Sequence, residues 1–145
     1  MKHMPQVVAV MTPFPHSVDI DAPLADAMEL MRLRRVRHLP VVEGGALRGV
    51  LADRDLRGAL GRNIGFHNVA ELRVRDLFHD DAYSVEADAP LDQVAATMAE
   101  RHIGSALVTK HGKLVGVFTA TDACRALARV LRERFPPPPP GDAAA

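Results

Sequence analysis

The sequence predicts a mixed α+β fold in which one β-α-β-β-α unit is used twice. Three observations predict it. An ungapped internal repeat recurs at a spacing of 67 residues, each copy carries an amphipathic helical stripe after a short extended piece, and each stripe is followed by two β-like runs joined at a glycine turn. Residues 7–60 fall on residues 74–127 with 17 identities in 54 positions, where unrelated stretches match at about one position in fifteen. Shared pairs include Val7/Val74, Met31/Met98, Arg34/Arg101, Gly49-Val50/Gly116-Val117 and Asp55/Asp122.

Each element follows from local chemistry. Ser17–Ile20 and Ser84–Ala87 read as short strands leading to Asp21 and Asp88, which are expected to cap a helix. Pro23 and Pro90 suit a first helical turn, where a missing N–H does no harm. Leu24, Ala27, Met28 and Met31 recur at helical spacing, and Leu91, Val94, Ala95 and Met98 repeat the stripe. The runs 38–43 and 47–52 meet at Gly44-Gly45, and the runs 105–109 and 114–119 meet at His111-Gly112, so each pair reads as a hairpin. Second helices are expected over 54–60 and 122–134. A unit of this size buries little core alone, so the copies are expected to stack their sheets about a pseudo-two-fold axis. The division is 1–62 for the first copy and 63–135 for the second, with 61–73 as the connection. Residues 136–145 form a proline-rich tail, a polyproline II stub expected to be disordered at its end.

Composition narrows the function. At 145 residues, 48% apolar and 25% charged, the chain suits one globular domain. Eighteen basic residues balance eighteen acidic ones, which argues against bulk polyanion binding, although 15 of the basic residues are Arg. With no Trp and one Tyr, a stacking platform for single-stranded nucleic acid is not expected. No membrane span or leader peptide is read, so the expected address is the cytoplasm. The lone Cys124 forms no internal disulfide, the seven His residues show no zinc spacing, and no nucleophile, P-loop or dinucleotide motif assembles. No enzyme and no metal site are expected, and no cofactor is required.

The segments MTPFPHSVDIDAPLADAMELMRLRRVRHLPVVEGGALRGVLADRDL and SVEADAPLDQVAATMAERHIGSALVTKHGKLVGVFTATDA resemble the cystathionine-β-synthase-type (CBS) domain. The match rests on Met-Thr before the first strand and the strand start RHLPVV in the first copy, and on a Gly-apolar-apolar run closing on an Asp in both copies, at constant spacing. The resemblance implies a CBS pair with two clefts that bind adenine-containing ligands: AMP, ADP or ATP, with S-adenosylmethionine or NAD as alternatives. It also implies regulation of an effector protein and, commonly, a homodimer formed through the helices. The terminal helix carries Leu127, Val130 and Leu131, which suit either a dimer face or the core.

Candidate ligand residues divide by copy. In GVFTATD, Thr119 and Asp122 stand before a helix with Thr121 between them, where free N–H groups attract phosphate. The resemblance gives Asp122 the ribose hydroxyls and Thr119 the phosphate; on spacing alone both are ordinary N-caps. The first copy has Asp55 at the ribose position but Ala52 where Thr119 stands, with Arg54 available as a substitute anion anchor. The cleft closed by Thr119 and Asp122 is therefore expected to bind more tightly. The resemblance places adenine against Thr12, Pro15, His38 and Pro40 in the first copy, and against Ala82, Tyr83, Ser105 and Ala106 in the second. Thr12 aligns with His79. Two rival readings are a ligand-free interaction module, favoured by Ala52, and nucleic-acid binding through Arg32, Arg34, Arg35 and Arg37.

Overall fold

A computed structural model describes residues 2–13, 16–61 and 69–141 of the chain. A two-residue strand, β1 (Thr12–Pro13), precedes the first β-α-β-β-α unit. The first copy comprises β2 (Val18–Asp19), α1 (Leu24–Arg34), β3 (His38–Glu43), β4 (Ala46–Ala52) and α2 (Asp53–Gly61). The second comprises β5 (Ser84–Glu86), α3 (Leu91–Arg101), β6 (Ser105–Lys110), β7 (Lys113–Thr119) and α4 (Ala120–Arg134). The mixed α+β reading and the repeated β-α-β-β-α order hold.

In each copy the leading strand pairs parallel with the first strand of the hairpin, β2 with β3 and β5 with β6, and the hairpin itself is antiparallel. Both hairpins close through two residues of positive φ, Gly44-Gly45 and His111-Gly112, the backbone handedness that matches strand twist. Both shift register at aligned places, between Val41 and Val42 and between Val108 and Thr109. Helices α1 and α3 both end at a left-handed residue, Arg35 and His102, each with φ 54°. The next amide donates back to the helix, Val36 to Met31 O and Ile103 to Met98 O, both at 3.1 Å.

The helix starts differ from the sequence expectation. Asp21 and Asp88 do not cap; Pro23 and Pro90 occupy the N-cap position, without side-chain capping bonds. The free amides are taken by backbone carbonyls from the leading segment of the other copy. Leu24 N donates to Leu72 O at 2.8 Å, and Leu91 N donates to Pro5 O at 2.9 Å. With that need met, Asp21 turns outward and pairs with Arg75 at 3.0 Å.

Those two bonds belong to an exchange of leading segments that the linear repeat does not reveal. Residues 5–13 pack on the second copy: Val7 N donates to Ala89 O, and β1 joins the second sheet, giving the order β1-β7-β6-β5. Residues 72–79 pack on the first copy, whose sheet runs β2-β3-β4: Val74 N donates to Ala22 O, and Arg75 N to Ile20 O. The aligned pair Val7/Val74 is thus explained. Val74 is buried with Ile20, Leu24, Leu39 and Leu51 of the first copy, and Val7 with Val94, Met98, Val108 and Phe118 of the second. Each copy completes its core with a valine lent by the other, as expected for units too small to bury a full core alone. Beyond α4, Pro136–Pro140 run as exposed chain outside helix or strand.

Candidate functional site

The exchange builds two clefts, each made from both copies. In the first, the segment entering the second copy crosses the end of β4. Val50 and His79 trade both backbone hydrogen bonds at 2.9 Å. The approach requires Gly49: a Cβ there would overlap the His79 carbonyl oxygen and stand 2.8 Å from its carbon. In the second cleft β1 crosses β7 in the same way, with Thr12 opposite Val117 and Pro13 opposite Gly116. A Cβ on Gly116 would overlap Met11 Sδ and lie 2.8 Å from Thr12 O. The repeated glycine is therefore required by the close approach of the crossing segment.

Above each crossing sits an aspartate. His79 Nε2 stands 2.8 Å from Asp55 Oδ1, whose side chain keeps 27% of its exposure. Thr12 Oγ1 donates to both carboxylate oxygens of Asp122, at 3.2 and 3.3 Å. Thr12 and His79 are aligned positions, so each aspartate is met by the leading segment of the other copy.

The two aspartates live in different surroundings because of the residue three places earlier. Thr119 is the N-cap of α4: its hydroxyl accepts from Asp122 N at 3.2 Å and donates to Asp122 Oδ2 at 3.1 Å. Its amide donates to the same oxygen at 2.9 Å, completing a capping box. Arg125 Nη1 lies at the edge of contact, 3.5 Å from Oδ1. Asp122 is 6% exposed, and its carboxylate is committed inside the protein. Ala52 has no hydroxyl with which to close such a box, and Asp55 faces the cleft.

The Asp55 cleft encloses about 360 Å³, within the range of about 300–1,000 Å³ typical of small-molecule pockets. Its walls bring together His38, Ala52, Arg54 and Asp55 from the first copy with Ala82, Tyr83, Arg101 and Ser105 from the second. Arg101 lies over the Tyr83 ring at 5.3 Å, a cation–π contact that holds a guanidinium at the rim. Burial lowers the His38 pKa from its ordinary value; the Asp55 and Asp53 carboxylates oppose that shift and Arg37 reinforces it. The Asp122 cleft is smaller, about 290 Å³, and is lined by Thr12, Asp122, Arg125 and Arg129 among others.

The structure regroups the residues singled out from sequence. His38 belongs with Ala82, Tyr83 and Ser105, not with Thr12, and those four share a cleft with Asp55 and Arg54, not with Asp122. Thr12 belongs with Asp122. The reason is the segment exchange, which crosses the copies. Pro40 and Ala106 face neither cleft; Pro40 is fully buried, and Ala106 lies in the second core. Thr121 is exposed on the first turn of α4. Pro15 lies outside the described residues. Sequence reasoning overlooked His79 as a partner of Asp55, and Arg101 as a cleft residue. Their signals were the Thr12/His79 alignment and the identity of Arg34 with Arg101.

Among the described residues, no group of three or more His, Cys, Asp or Glu could hold a metal ion, and no helix is long and apolar enough to cross a membrane.

Comparison with known proteins agrees with this architecture. The CBS domain family model matches twice, over residues 7–62 and 74–129. A CBS domain-containing protein of Dictyostelium discoideum is 28% identical over 130 residues, covering 83% of this chain and 89% of its own. The crystal structure of a Vibrio cholerae protein named AcuB superposes with a TM-score of 0.79 at 30% identity, over 93% of this chain and all of the other. The crystal structure of CBSX2 in complex with AMP superposes with a TM-score of 0.73 at 28% identity, over 88% and 98% of the two chains. With two matches that together span most of its length, the chain belongs to the CBS domain family and carries two copies of the domain.

Proposed function

We propose that the chain is a regulatory module that binds an adenine nucleotide in the Asp55 cleft and relays its occupancy to an effector protein. The observation that carries this reading is the convergence of Asp55, Arg54, Arg101, Tyr83 and Ser105 on one ligand-sized space. A carboxylate can accept from both ribose hydroxyls. The guanidinium groups of Arg54 and Arg101 can take phosphate oxygens. The Ala82–Tyr83 backbone and the start of β6 offer an apolar slot with a polar edge for the base. The complex of the similar protein CBSX2 with AMP supports the ligand class. Asp122 carries the same residue type, but it is buried and satisfied by Thr12 and Thr119. This geometry supports the reverse of the ranking expected from sequence: the Asp55 cleft is the tighter site, and Arg54 stands in for the missing hydroxyl.

A thermal-shift panel of AMP, ADP, ATP, S-adenosylmethionine and NAD tests the reading. A true ligand at about 100 times its dissociation constant adds about 2.7 kcal/mol of stability. The phosphate-bearing ligands are expected to raise the melting temperature more than S-adenosylmethionine, whose sulfonium would face Arg54 and Arg101. If none of the five moves it, the chain is a ligand-free interaction module.

Self-association belongs to the same proposal. Leu127, Val130 and Leu131 on α4 stand at 58%, 57% and 47% exposure and Phe135 just beyond its end at 68%, an apolar stripe along the helix and its exit. A homodimer through this stripe is expected to dissociate in Leu131→Glu, read by sedimentation equilibrium. A monomeric wild-type chain at tens of micromolar would remove the dimer from the account. Catalysis forms no part of the proposal, and the cytoplasm stays its expected address.

A further inference from the structure

The proline run beyond α4 takes no part in either cleft or either core. Helix α4 ends at Arg134, and the Phe135 amide makes the last bond back to it, donating to Leu131 O at 2.7 Å. Pro136–Pro140 follow without helix or strand, a turn starts at Pro140, and all five prolines are exposed. They lie past the end of the helix, outside the α4 stripe through which two copies are proposed to pair.

The shape of the run follows from its chemistry. Each proline ring fixes φ at about −65°. A residue that precedes a proline is driven into the extended range, and Phe135 through Pro139 all precede one. Such a segment is held as a left-handed polyproline II helix of three residues per turn, rising about 3.1 Å per residue, so the five prolines span about 15 Å. With no amide hydrogen the run can neither extend α4 nor pair with a sheet edge. What it offers is five rings and a row of carbonyl acceptors.

The three-residue period sorts those rings. Pro136 and Pro139 share one edge, and Pro137 and Pro140 share the next. Arg134 stands three residues before Pro137, in phase with the second edge. It is exposed and has no ion-pair partner among the described residues. It is also the last residue of α4, and helix ends fray. A spacer needs stiffness alone, whereas an arginine in register with Pro137 and Pro140 gives the run a direction in which it can be read.

From this pattern we infer that residues 134–140 are a docking segment for a partner protein whose groove is lined by aromatic rings and carries a carboxylate at one end. Proline rings pack between the aromatic side chains, whose indole or phenol groups donate to the carbonyls of the run. The carboxylate takes the guanidinium of Arg134. Because the run is already ordered, little chain entropy is lost on binding. The docking is constitutive. Arg134 lies about 18 Å along α4 from Asp122, whose turn is fixed by the Thr119 capping box, and no residue of the run lines either cleft. The inference goes beyond the nucleotide reading and stands without it.

The test titrates the full chain with three isolated probe domains that read polyproline II segments, an SH3 domain with an acidic specificity pocket, a WW domain and an EVH1 domain, by calorimetry. The SH3 domain is expected to bind the wild-type chain at least about tenfold more tightly than a variant with Pro136–Pro140 replaced by Gly and Ser. That variant is expected to keep the wild-type melting temperature, since the run is exposed throughout, and to lose the polyproline II signature in difference circular dichroism. Arg134→Glu is expected to weaken SH3 binding by about fivefold or more, and saturating AMP to change it by less than about twofold. Equal binding by the Gly and Ser variant, or no binding by any of the three domains, would overturn the docking segment and leave a rigid spacer. Undiminished binding by Arg134→Glu would overturn the part given to the carboxylate. A response to AMP of about fivefold or more would overturn constitutive docking. Failure of AMP to bind would dispose of the nucleotide reading alone, because the titrations without nucleotide still decide the run.

Discussion

Asp55 and Asp122 occupy the same place in two copies of one unit, yet one faces an open cleft and the other is locked into its own helix start. The difference traces to Ala52 against Thr119. A threonine there supplies a hydroxyl that accepts the helix amide and holds the aspartate back in a capping box. An alanine releases the aspartate to the cleft, where it meets His79. Capping and exposure to the cleft draw on the same two residues, so a single substitution locks the aspartate of one copy and leaves the other facing its cleft.

The largest effect expected from breaking this comparison comes from the glycines beneath the two crossings. Gly49→Ala drives a methyl into the His79 backbone and is expected to cost about 3 kcal/mol, the upper end for overpacking. Gly116→Ala meets mainly the flexible Met11 side chain and is expected to cost about 1–2 kcal/mol. Urea denaturation of both variants measures the gap; equal losses would mean that the two crossings are equally tight.

Removing the aspartates comes next. Asp122→Ala removes a cap and the partner of Thr12, at a cost of about 2 kcal/mol. Asp55→Ala removes a half-exposed contact to His79 and should cost under about 1 kcal/mol. The reciprocal exchange sharpens the point. Thr119→Ala is expected to lose about 1 kcal/mol, and Ala52→Thr to gain up to about that much by closing a new capping box. If Ala52→Thr gains stability and leaves nucleotide affinity untouched, the competition between cap and ligand is refuted.

The smallest effect is a pH dependence. Burial holds His38 below its ordinary pKa, so the folded chain takes up that proton less readily than the unfolded chain. Its contribution is complete above about pH 6.5, the unperturbed value. It is lost as the pH falls through the window from that value down to the lowered folded pKa. His38→Gln is expected to flatten this part of the stability profile, measured by urea midpoints at stepped pH. An unchanged slope would assign the dependence to other groups.

Much of the fold was legible because the repeat places the same residue types at the same offsets twice, and helix stripes and glycine turns confirm each other within each copy. The exchange of leading segments was not legible. Val7 and Val74 align whether each packs on its own copy or on the other, and a periodic pattern carries no address for its partner. The same blindness affected the grouping of the cleft residues. His38, Tyr83 and Ser105 were recognisable as cleft residues, but which aspartate they accompany depends on the crossing. The helix caps failed for a related reason: Asp21 and Asp88 are good caps locally, and backbone carbonyls from distant segments reached the amides first.

Titration calorimetry with AMP on the wild-type chain, Asp55→Ala and Asp122→Ala tests the central claim most directly, with the folded fraction of each variant checked by circular dichroism. Loss of the ribose acceptor at a working site removes hydrogen bonds to a charged group, worth about 1.5–3 kcal/mol, or about ten- to hundred-fold in affinity. The expected result is that loss in Asp55→Ala and near wild-type affinity in Asp122→Ala. An intact tight site in Asp55→Ala, with binding lost in Asp122→Ala, would contradict the account and make Thr119, not Arg54, the phosphate anchor.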